Sequence, residues 1–325
     1  MIGAGDMENL RRFMMQKVKE VFGNRYELQS MERLLGGAQK HTYLAKTQNG
    51  FNFVIYIWDQ ATSYFSYDEE NDIFLSSSAK LFELNNYKMC EVGVRVPKLY
   101  YMDRNKNEQQ YAYAFAEYID GTDMDEVINN APHRLEQVLA SLAENIEKLH
   151  CIKCETVGQL EHLQAYDFNI IEFSLEGVKR DVAYLSEMDQ LNKKMYEVLE
   201  EKVEQLAKKI KPRKEYTFIH GELGPNHVMV NKNNEAFLID IEGAKYGDVE
   251  EEASFLKLRF GTSYEKIVNQ AMDEERMRFY HLGHCLGNLS GAMALKNKGY
   301  YDMEDLNGMI KYFKMQLKKA ISEEV

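Results

Sequence analysis

Two short polar segments near residue 230 carry side chains that could do chemistry. The first is residues 220–227, His-Gly-Glu-Leu-Gly-Pro-Asn-His, and the second is residues 238–242, Leu-Ile-Asp-Ile-Glu. Their carboxylates lie beside apolar runs, where an unpaired charge is costly to bury. Phosphoryl transfer needs one carboxylate to accept the proton of an attacking hydroxyl, and further ligands to hold Mg²⁺ against phosphates. Carboxylates such as Glu222 and Asp240 are therefore candidates for these roles in phosphoryl transfer.

The surrounding sequence predicts the elements that hold these segments. Short β-forming runs occur at residues 217–220, 227–230 and 236–240, and the polar sequence at 231–234 predicts a tight turn between the last two. A strand followed by a β-hairpin would bring both polar segments to the ends of strands.

The first third of the chain predicts a small, mostly antiparallel sheet with one main helix packed on it. An amphipathic helix precedes the sheet, and Asn49-Gly50 is a strong hairpin signal. The predicted elements are a helix at 7–22, a glycine turn at 33–40, a strand at 51–58, a helix at 72–92 and strands at 97–102 and 111–119.

From Gly121 onward the pattern is helical, apart from the strand and hairpin near residue 230. Apolar residues recur at helical spacing between 135 and 149, long helices are predicted over 171–210, and helices resume from about 250. The prediction is an α+β fold with a small sheet-rich part followed by a larger helical part.

The two polar segments resemble the H-G-D-L-x-P-x-N and I-D-x-E motifs of the aminoglycoside phosphotransferase and choline kinase-like family. Gly247-Asp248 and Glu252 resemble the later G-D-P-x-x-D signature of this family, and residues 117–121 resemble its hinge. These motifs occur in the right order, and the resemblance extends more weakly over most of the chain, which is identified as a divergent member.

The resemblance implies a protein kinase-like bilobal fold. A nucleotide-binding lobe with a small antiparallel sheet would occupy residues 1–118, with a leading helix at 5–22, and a larger helical lobe at 119–325 would carry the catalytic loop and the acceptor site. The implied activity transfers the γ-phosphate of ATP or GTP to a hydroxyl of a small molecule. Aminoglycoside-like and other antibiotics, amino alcohols and sugars are all acceptors in such a family, and the fold does not choose among them.

The resemblance also assigns roles to residues of the two segments. Glu222 stands where the family has its catalytic aspartate, and its extra methylene moves the carboxylate by about an ångström. Asp240 matches the metal-binding aspartate. The asparagine ligand of the family falls by spacing on His227, whereas the preference of Mg²⁺ for oxygen favours Asn226. The predicted ligands of Mg²⁺ are His227 and Asp240, with Asn226 as the alternative.

The resemblance places the nucleotide on the first lobe. Gly36-Gly37 fits a turn that lies over phosphates, although a Gly-Gly pair is also common in simple hairpins. Glu117 and Ile119 lie in the segment that resembles the hinge, which takes the base of ATP or GTP.

A lysine is missing where the family binds the α- and β-phosphates. Val54 falls where a small apolar residue covers the base, and Tyr56 replaces the lysine of a V-A-I-K pattern. A tyrosine hydroxyl brings no positive charge. Lys40 or Lys46 could supply it instead, although nothing in the sequence requires this. Tyr56 and Glu222 favour the alternative function, a kinase-like nucleotide- or ligand-binding protein with little or no catalysis.

Three acidic residues are candidates for acceptor binding: Glu242, Asp248 and Glu252. In members of the family that act on aminoglycosides, acidic residues of the helical lobe hold the amines of the substrate. A solvated helix N-terminus, where acidic residues suit the helix dipole, explains the acidic run after Asp248 equally well.

The charge balance excludes some classes of partner. The 325 residues carry a net charge of −12, from 40 Lys+Arg against 52 Asp+Glu, whereas nucleic acids and anionic membranes are bound by basic surfaces. No apolar run is long enough to span a bilayer, and no signal-peptide pattern is present. A cytoplasmic enzyme with a small-molecule partner is expected.

Overall fold

The computed structural model describes residues 4–34, 40–59, 73–75, 77–104 and 111–322. The predicted turn at Gly36 and Gly37 lies outside these residues. The chain forms two compact units, of which the first joins Met1–Asn145 with Asn226–Gly243 and the second joins Ile146–Pro225 with Ala244–Val325. These units are defined by the contacts between residues of the chain. The predicted boundary between two lobes, at residues 118 and 119, stays a prediction.

The helices and strands follow one another along the chain. They are α1 (Ala4–Phe22), β1 (Leu28–Leu34), β2 (His41–Thr47), β3 (Asn52–Trp58), α2 (Ala79–Glu91), β4 (Leu99–Asp103), β5 (Ala112–Glu117), β6 (Gly121–Asp123), α3 (Met124–Asn130), α4 (Leu135–His150), β7 (Lys153–Cys154), β8 (Gly158–Gln159), β9 (His162–Leu163), α5 (Ile170–Met188), α6 (Lys193–Lys209), β10 (Tyr216–Ile219), β11 (Val228–Asn231), β12 (Ala236–Leu238), β13 (Lys245–Gly247), α7 (Val249–Phe260), α8 (Tyr264–Ile267), α9 (Glu274–Asn297) and α10 (Met303–Ser322).

An antiparallel sheet with the strand order β1-β2-β3-β5-β4 dominates the first unit. Successive side chains of a strand point to opposite faces, and the centre of one face is apolar. Tyr43, Ile55 and Phe115 of this face lie in one buried cluster with Met14 and Val18 of α1. The amphipathic helix predicted at the start of the chain therefore packs on the sheet.

The other face of this sheet carries Val54, Tyr56 and Trp58 of β3. The ring centroid of Phe82, from α2, lies 5.3 Å from that of Tyr56 and 5.2 Å from that of Trp58. One face of the sheet thus makes the core with α1, and the opposite face meets α2.

Helix α2 begins at Ala79, whereas the sequence pattern predicts a helix from residue 72. The Ser78 side chain accepts a hydrogen bond from the Leu81 N–H, and the backbone of Ser78 is extended. A serine in this position satisfies one of the amide groups that a helix start leaves unpaired. The N-cap therefore sets the start of the helix.

A second sheet in the first unit contains the predicted hairpin, with the strand order β12-β11-β6. Residue 121 pairs with Asn231, and a Cβ atom on Gly121 would lie 1.9 Å from the Val230 carbonyl oxygen. Only glycine permits such a close approach of two backbones. This contact holds the segment after β5 against the hairpin.

The second unit is helical around a small antiparallel sheet with the strand order β7-β10-β13-β8-β9. Helix α9 packs against α5, α6, α7 and α10. The predicted α+β fold class, with an antiparallel sheet first and helices after it, is confirmed. Within the described ranges, no helix combines the length and the apolar composition needed to cross a membrane.

Candidate active site

The hairpin of β11 and β12 brings His227 and Asp240 together. His227 ends a 3₁₀ turn, Pro225–His227, directly before β11, and Asp240 comes two residues after β12. The Ile239 N–H donates a hydrogen bond of 3.0 Å to the His227 carbonyl oxygen. The distance from His227 Nε2 to Asp240 Oδ2 is 3.4 Å.

Asp240 has a backbone conformation that few residues adopt. Its φ angle is +61°, in the left-handed region where asparagine and aspartate are the commonest residues after glycine. Such strain persists where the surrounding contacts enforce it, and it clusters at functional sites. The Asp240 side chain is 40% exposed, so a ligand can reach its carboxylate.

The ammonium group of Lys40 lies between two carboxylates. Lys40 Nζ is 2.5 Å from Asp240 Oδ1 and 2.5 Å from Glu242 Oε1. Trp58 Nε1 also donates to Glu242 Oε1, at 3.2 Å, and the Glu242 side chain is 2% exposed. Burial by itself lowers the pKa of Lys40, but the charges of Asp240 and Glu242 outweigh burial and hold this pKa above its usual value. Lys40 is therefore a charged group in this site.

Tyr56 lies beneath Lys40. The distance from Lys40 Nζ to the centroid of the Tyr56 ring is 5.3 Å, within the range of a cation–π contact. Burial raises the pKa of Tyr56 to about 12, although Lys40 acts in the opposite direction. The hydroxyl of Tyr56 is therefore neutral at physiological pH, and the positive charge at this place comes from Lys40.

Helix α2 holds the segment after Asp240 through an amide side chain. Asn85 is fully buried and donates from Nδ2 to the carbonyl oxygens of Ile241, at 2.7 Å, and Glu242, at 3.3 Å. Glu83, on the same helix, pairs with Arg104 at 3.2 Å. The carboxylates that pair with Lys40 are thus Asp240 and Glu242, and Glu83 pairs with Arg104 instead.

The predicted hinge residues lie at the end of β5, which Glu117 closes, and in the segment between β5 and β6, which contains Ile119. The Glu117 N–H donates to the Lys98 carbonyl oxygen at 2.8 Å, and the Glu117 carboxylate accepts from the Lys98 N–H at 3.1 Å. Ile119 is buried, as is Val54 on β3, and Val54 pairs with Ala116 of β5. The two predicted base contacts, Val54 and Ile119, are therefore both apolar side chains of the first unit.

In the second unit, Glu252 holds the backbone that leads to Glu222. Glu252 Oε1 accepts from the His220 N–H at 2.7 Å and from the Gly221 N–H at 3.4 Å, while His150 Nε2 donates to Oε2 at 2.5 Å. Burial alone raises the pKa of Glu252, but the bonds from His150 and His220 outweigh it and lower this pKa below its usual value. Glu222 itself is exposed, two residues after His220.

Asp248 lies in a second buried cluster of the same unit. It pairs with Arg276, accepts from the Tyr280 hydroxyl at 2.8 Å and lies 3.5 Å from Arg213 Nη1. Burial raises the pKa of Asp248, and the two arginines act against this shift. The Asp248 side chain is fully buried, so its partners are side chains of the protein itself.

The sequence of residues 30–289 matches the phosphotransferase enzyme family. The chain belongs to this family. Membership confirms the resemblance and the enzyme class that the motifs predict, a small-molecule kinase. No curated protein gives a significant match to the sequence of this phosphotransferase.

Solved structures with the same fold come from aminoglycoside phosphotransferases. One is a ternary complex of an APH(4)-Ia mutant with ADP and hygromycin B, which has a TM-score of 0.68, 13% identity, and coverage of 97% of this chain and 100% of that one. Another is the spectinomycin phosphotransferase APH(9)-Ia with ADP and spectinomycin, with a TM-score of 0.66, 15% identity, and coverage of 96% and 97%. The predicted kinase-like fold of the phosphotransferase is confirmed.

The donors in the first unit fit a magnesium ion. Asp240 offers a partly exposed carboxylate, and Asn226 is an exposed amide one residue before His227. Mg²⁺ prefers oxygen ligands and completes its coordination shell with water and substrate phosphates, so one or two protein ligands suffice. The choice between Asn226 and His227 stays a prediction.

The predicted site residues of the phosphotransferase fall into two groups. The first unit contains Val54, Tyr56, Glu117, Ile119, Asn226, His227, Asp240 and Glu242, and the second contains Glu222, Asp248 and Glu252. Sequence reasoning named Lys40 only as one of two possible cations, without its carboxylate partners, and it missed the hydrogen bonds of Glu252 to the backbone of His220 and Gly221. The register of β2 on β3 was the available signal for Lys40, because Thr42 pairs with Tyr56 and residue 40 returns to the same face.

Proposed function

We propose that this phosphotransferase moves the γ-phosphoryl group of ATP or GTP to a hydroxyl of a small molecule. One observation carries the proposal, namely that Asp240, His227 and the charged Lys40 converge on the sheet face that bears Val54 and Tyr56. A nucleoside triphosphate is bound by a cation at its phosphates, by oxygen ligands that hold its metal ion, and by an apolar surface at its base. The related folds crystallised with ADP support a nucleotide donor.

The donor would lie along the first unit. Val54 and Ile119 would contact the base, and the backbone at Glu117 would provide its polar edge. Asp240, with Asn226 or His227, would hold Mg²⁺, which when bound would neutralise the negative charge on the β- and γ-phosphates. Gly36 and Gly37 remain candidates for a loop over the phosphates.

Glu222 would act on the acceptor. Its carboxylate would orient the acceptor hydroxyl and take its proton as the oxygen attacks the γ-phosphorus, while the bond from phosphorus to the β–γ bridging oxygen breaks and ADP or GDP leaves. Glu252 fixes the backbone of His220 and Gly221, directly before this base. We assign Glu252 a positioning role. By fixing the backbone directly before Glu222, it would keep the carboxylate of that base in place during the reaction.

The acceptor would be a small hydroxyl compound, and amine recognition would not come from the three predicted acidic residues. Glu242, Asp248 and Glu252 are buried, with 2% of the side chain exposed or less, and all three are paired within the protein. The related structures contain hygromycin B or spectinomycin as ligands. Aminoglycoside-like antibiotics therefore come first in an acceptor search, followed by amino alcohols and sugars.

The test has two stages. Calorimetry with Mg·ATP and Mg·GTP first measures whether the protein binds a nucleotide, and phosphate transfer is then assayed against hygromycin B, spectinomycin, a macrolide, choline and a monosaccharide. We expect binding of at least one nucleotide and transfer to one acceptor, lost in Glu222→Gln. Absence of nucleotide binding at millimolar concentration would overturn the proposal. Tight binding without transfer, unchanged by Glu222→Gln, would favour a binding protein with little catalysis.

A further inference from the structure

Strand β3, which carries the phosphate-binding lysine in kinases, contains no lysine in this protein. Tyr56 occupies that position, and it is buried with a neutral hydroxyl. A bound nucleoside diphosphate still needs a positively charged group beside its α- and β-phosphates. Either a positively charged side chain from another part of the chain contacts the phosphates, or the site binds phosphates weakly.

Lys40 reaches the same face from the residue directly before the neighbouring strand, β2. In the β2–β3 ladder Thr42 pairs with Tyr56, and His41 pairs with Ile57. Because the side chains of a strand alternate, residue 40 shares the face of Thr42 and therefore the face of Tyr56. The 5.3 Å distance from Lys40 Nζ to the Tyr56 ring agrees with this register.

A buried carboxylate positions the ammonium group. In protein kinases the partner is a glutamate of the helix that packs on the sheet; here the corresponding helix contributes Asn85, which holds the carbonyl oxygens of residues 241 and 242. Glu242 is the partner instead, at 2.5 Å from Lys40 Nζ, with a second hydrogen bond from Trp58. The other carboxylate on Lys40 is Asp240, the predicted metal ligand.

We propose that Lys40 replaces the missing lysine as the phosphate-binding cation and that Glu242 positions it, an inference that rests on the proposed phosphotransfer function. An ammonium has three N–H donors. Two serve Asp240 and Glu242 among the described residues, and the third is placed to serve a phosphate oxygen beside the metal ligand. The lysine and its partner acid have thus both moved to new positions in the chain.

Lys46 provides a matched comparison for Lys40. It lies on β2, which begins directly after Lys40, and on the same face as Lys40, six residues further along, which is about 20 Å in an extended chain. Its side chain is 41% exposed and lies 3.4 Å from Glu32. A general effect of removing a lysine from this segment would appear in both variants, whereas loss of phosphate binding would appear only in Lys40→Met.

The experiment compares diphosphates with nucleosides. Dissociation constants of ADP, GDP, adenosine and guanosine, with Mg²⁺ present, are measured by calorimetry for the wild type, Lys40→Met, Lys46→Met and the double variant Lys40→Met/Glu242→Gln. The double variant leaves no uncompensated charge at residue 242, so it keeps the test valid where Lys40→Met alone unfolds. Thermal unfolding of each apo protein checks its fold.

We expect the diphosphate that binds the wild type to bind the double variant about 10- to 100-fold more weakly, the range of one charge-assisted hydrogen bond. The affinity for the matching nucleoside should change by less than about twofold, and Lys46→Met should change neither. An equal loss for nucleoside and diphosphate, or retention of diphosphate affinity in the double variant, would overturn the assignment of Lys40. If the wild type binds no nucleotide, the proposed function itself fails.

Discussion

Glu242 in the first unit and Glu252 in the second are both buried carboxylates, yet they are stabilised by different kinds of partner. Glu242 is neutralised by the ammonium of Lys40, a side chain with four rotatable bonds that also contacts Asp240. Glu252 is held by two backbone N–H groups and by His150. A flexible side-chain cation can turn toward a ligand, whereas backbone donors stay where the fold puts them. The first cluster is thus suited to binding, and the second to fixing a loop.

The largest effect that separates the two clusters is expected in Glu252→Ala. Removing this carboxylate leaves the His220 N–H and the His150 side chain buried without their acceptor, which should lower the free energy of unfolding by about 3–5 kcal/mol. Chemical denaturation measures the loss. The exposed Glu187→Ala on α5 is the control and should change it by less than about 0.5 kcal/mol. A loss below about 1 kcal/mol in Glu252→Ala would remove the distinction between the clusters.

Asp240→Asn should have a small effect on the free energy of unfolding and a large effect on activity. Asparagine tolerates the positive φ angle at this residue, so the free energy of unfolding should change by less than about 1 kcal/mol. The loss of the carboxylate should lower kcat by about 10²- to 10³-fold, because the proposed metal ligand would no longer carry the negative charge that holds Mg²⁺ against the phosphates. Steady-state kinetics on the acceptor identified by the transfer assay measures it, with Asp302→Asn as a surface control. Unchanged kcat would show that Asp240 belongs with the structural carboxylates.

Gly121→Ala asks whether the first cluster depends on the anchoring of the hairpin. The added Cβ atom would clash with the Val230 carbonyl oxygen, so β6 and β11 must separate, and we expect a loss of about 1–3 kcal/mol in the free energy of unfolding. Gly291→Ala is a matched substitution in helix α9, where a Cβ atom meets nothing within 4 Å, and it should stabilise the protein by about 0.5–1 kcal/mol. Equal effects of the two substitutions would contradict the close approach of β6 to the hairpin.

The smallest effect is a pH dependence confined to the second cluster. The pKa of Glu252 is lower in the folded protein than its ordinary value of 4.5, so the unfolded chain binds more protons as the pH falls below that value. Its contribution to stability is complete above about pH 4.5 and is lost as the pH falls through the folded pKa. The difference in unfolding free energy between wild type and Glu252→Gln should therefore be constant from about pH 7 to 5 and shrink below about 4.5. A difference that grows on acidification would reverse the assigned shift.

The parts of this site that the sequence predicts well are those set by neighbours along the chain. The β11–β12 hairpin and the position of Asp240 follow from apolar runs flanking a polar turn, and the opening helix follows from its apolar spacing. The sequence pattern starts α2 too early because apolar periodicity does not register an N-cap, although Ser78 is visible as a capping residue. Local sequence patterns therefore predict the helices and strands and their order, but the residue at which a helix begins or ends depends on single hydrogen bonds.

The parts that the sequence does not predict depend on contacts between distant segments. Lys40 and Glu242 are about 200 residues apart, and their pairing depends on how two separate sheets meet within the first unit. The family resemblance makes Glu252 a candidate for acceptor binding, because acidic residues of the helical lobe hold substrate amines in such a family, whereas its carboxylate accepts a hydrogen bond from the His220 N–H. No periodicity distinguishes an acidic residue that faces solvent from one that accepts hydrogen bonds from backbone N–H groups 32 residues away. Such roles require the tertiary structure.

Trp58 gives this site an optical property. It is the single tryptophan of the sequence, and its indole N–H lies 3.2 Å from Glu242 Oε1. All indole emission from the protein therefore originates beside the carboxylate that holds Lys40. A shift of the ammonium toward a bound phosphate alters the electric field at that ring, so nucleotide titrations can be followed by intrinsic fluorescence, without a label and without an assay for the product.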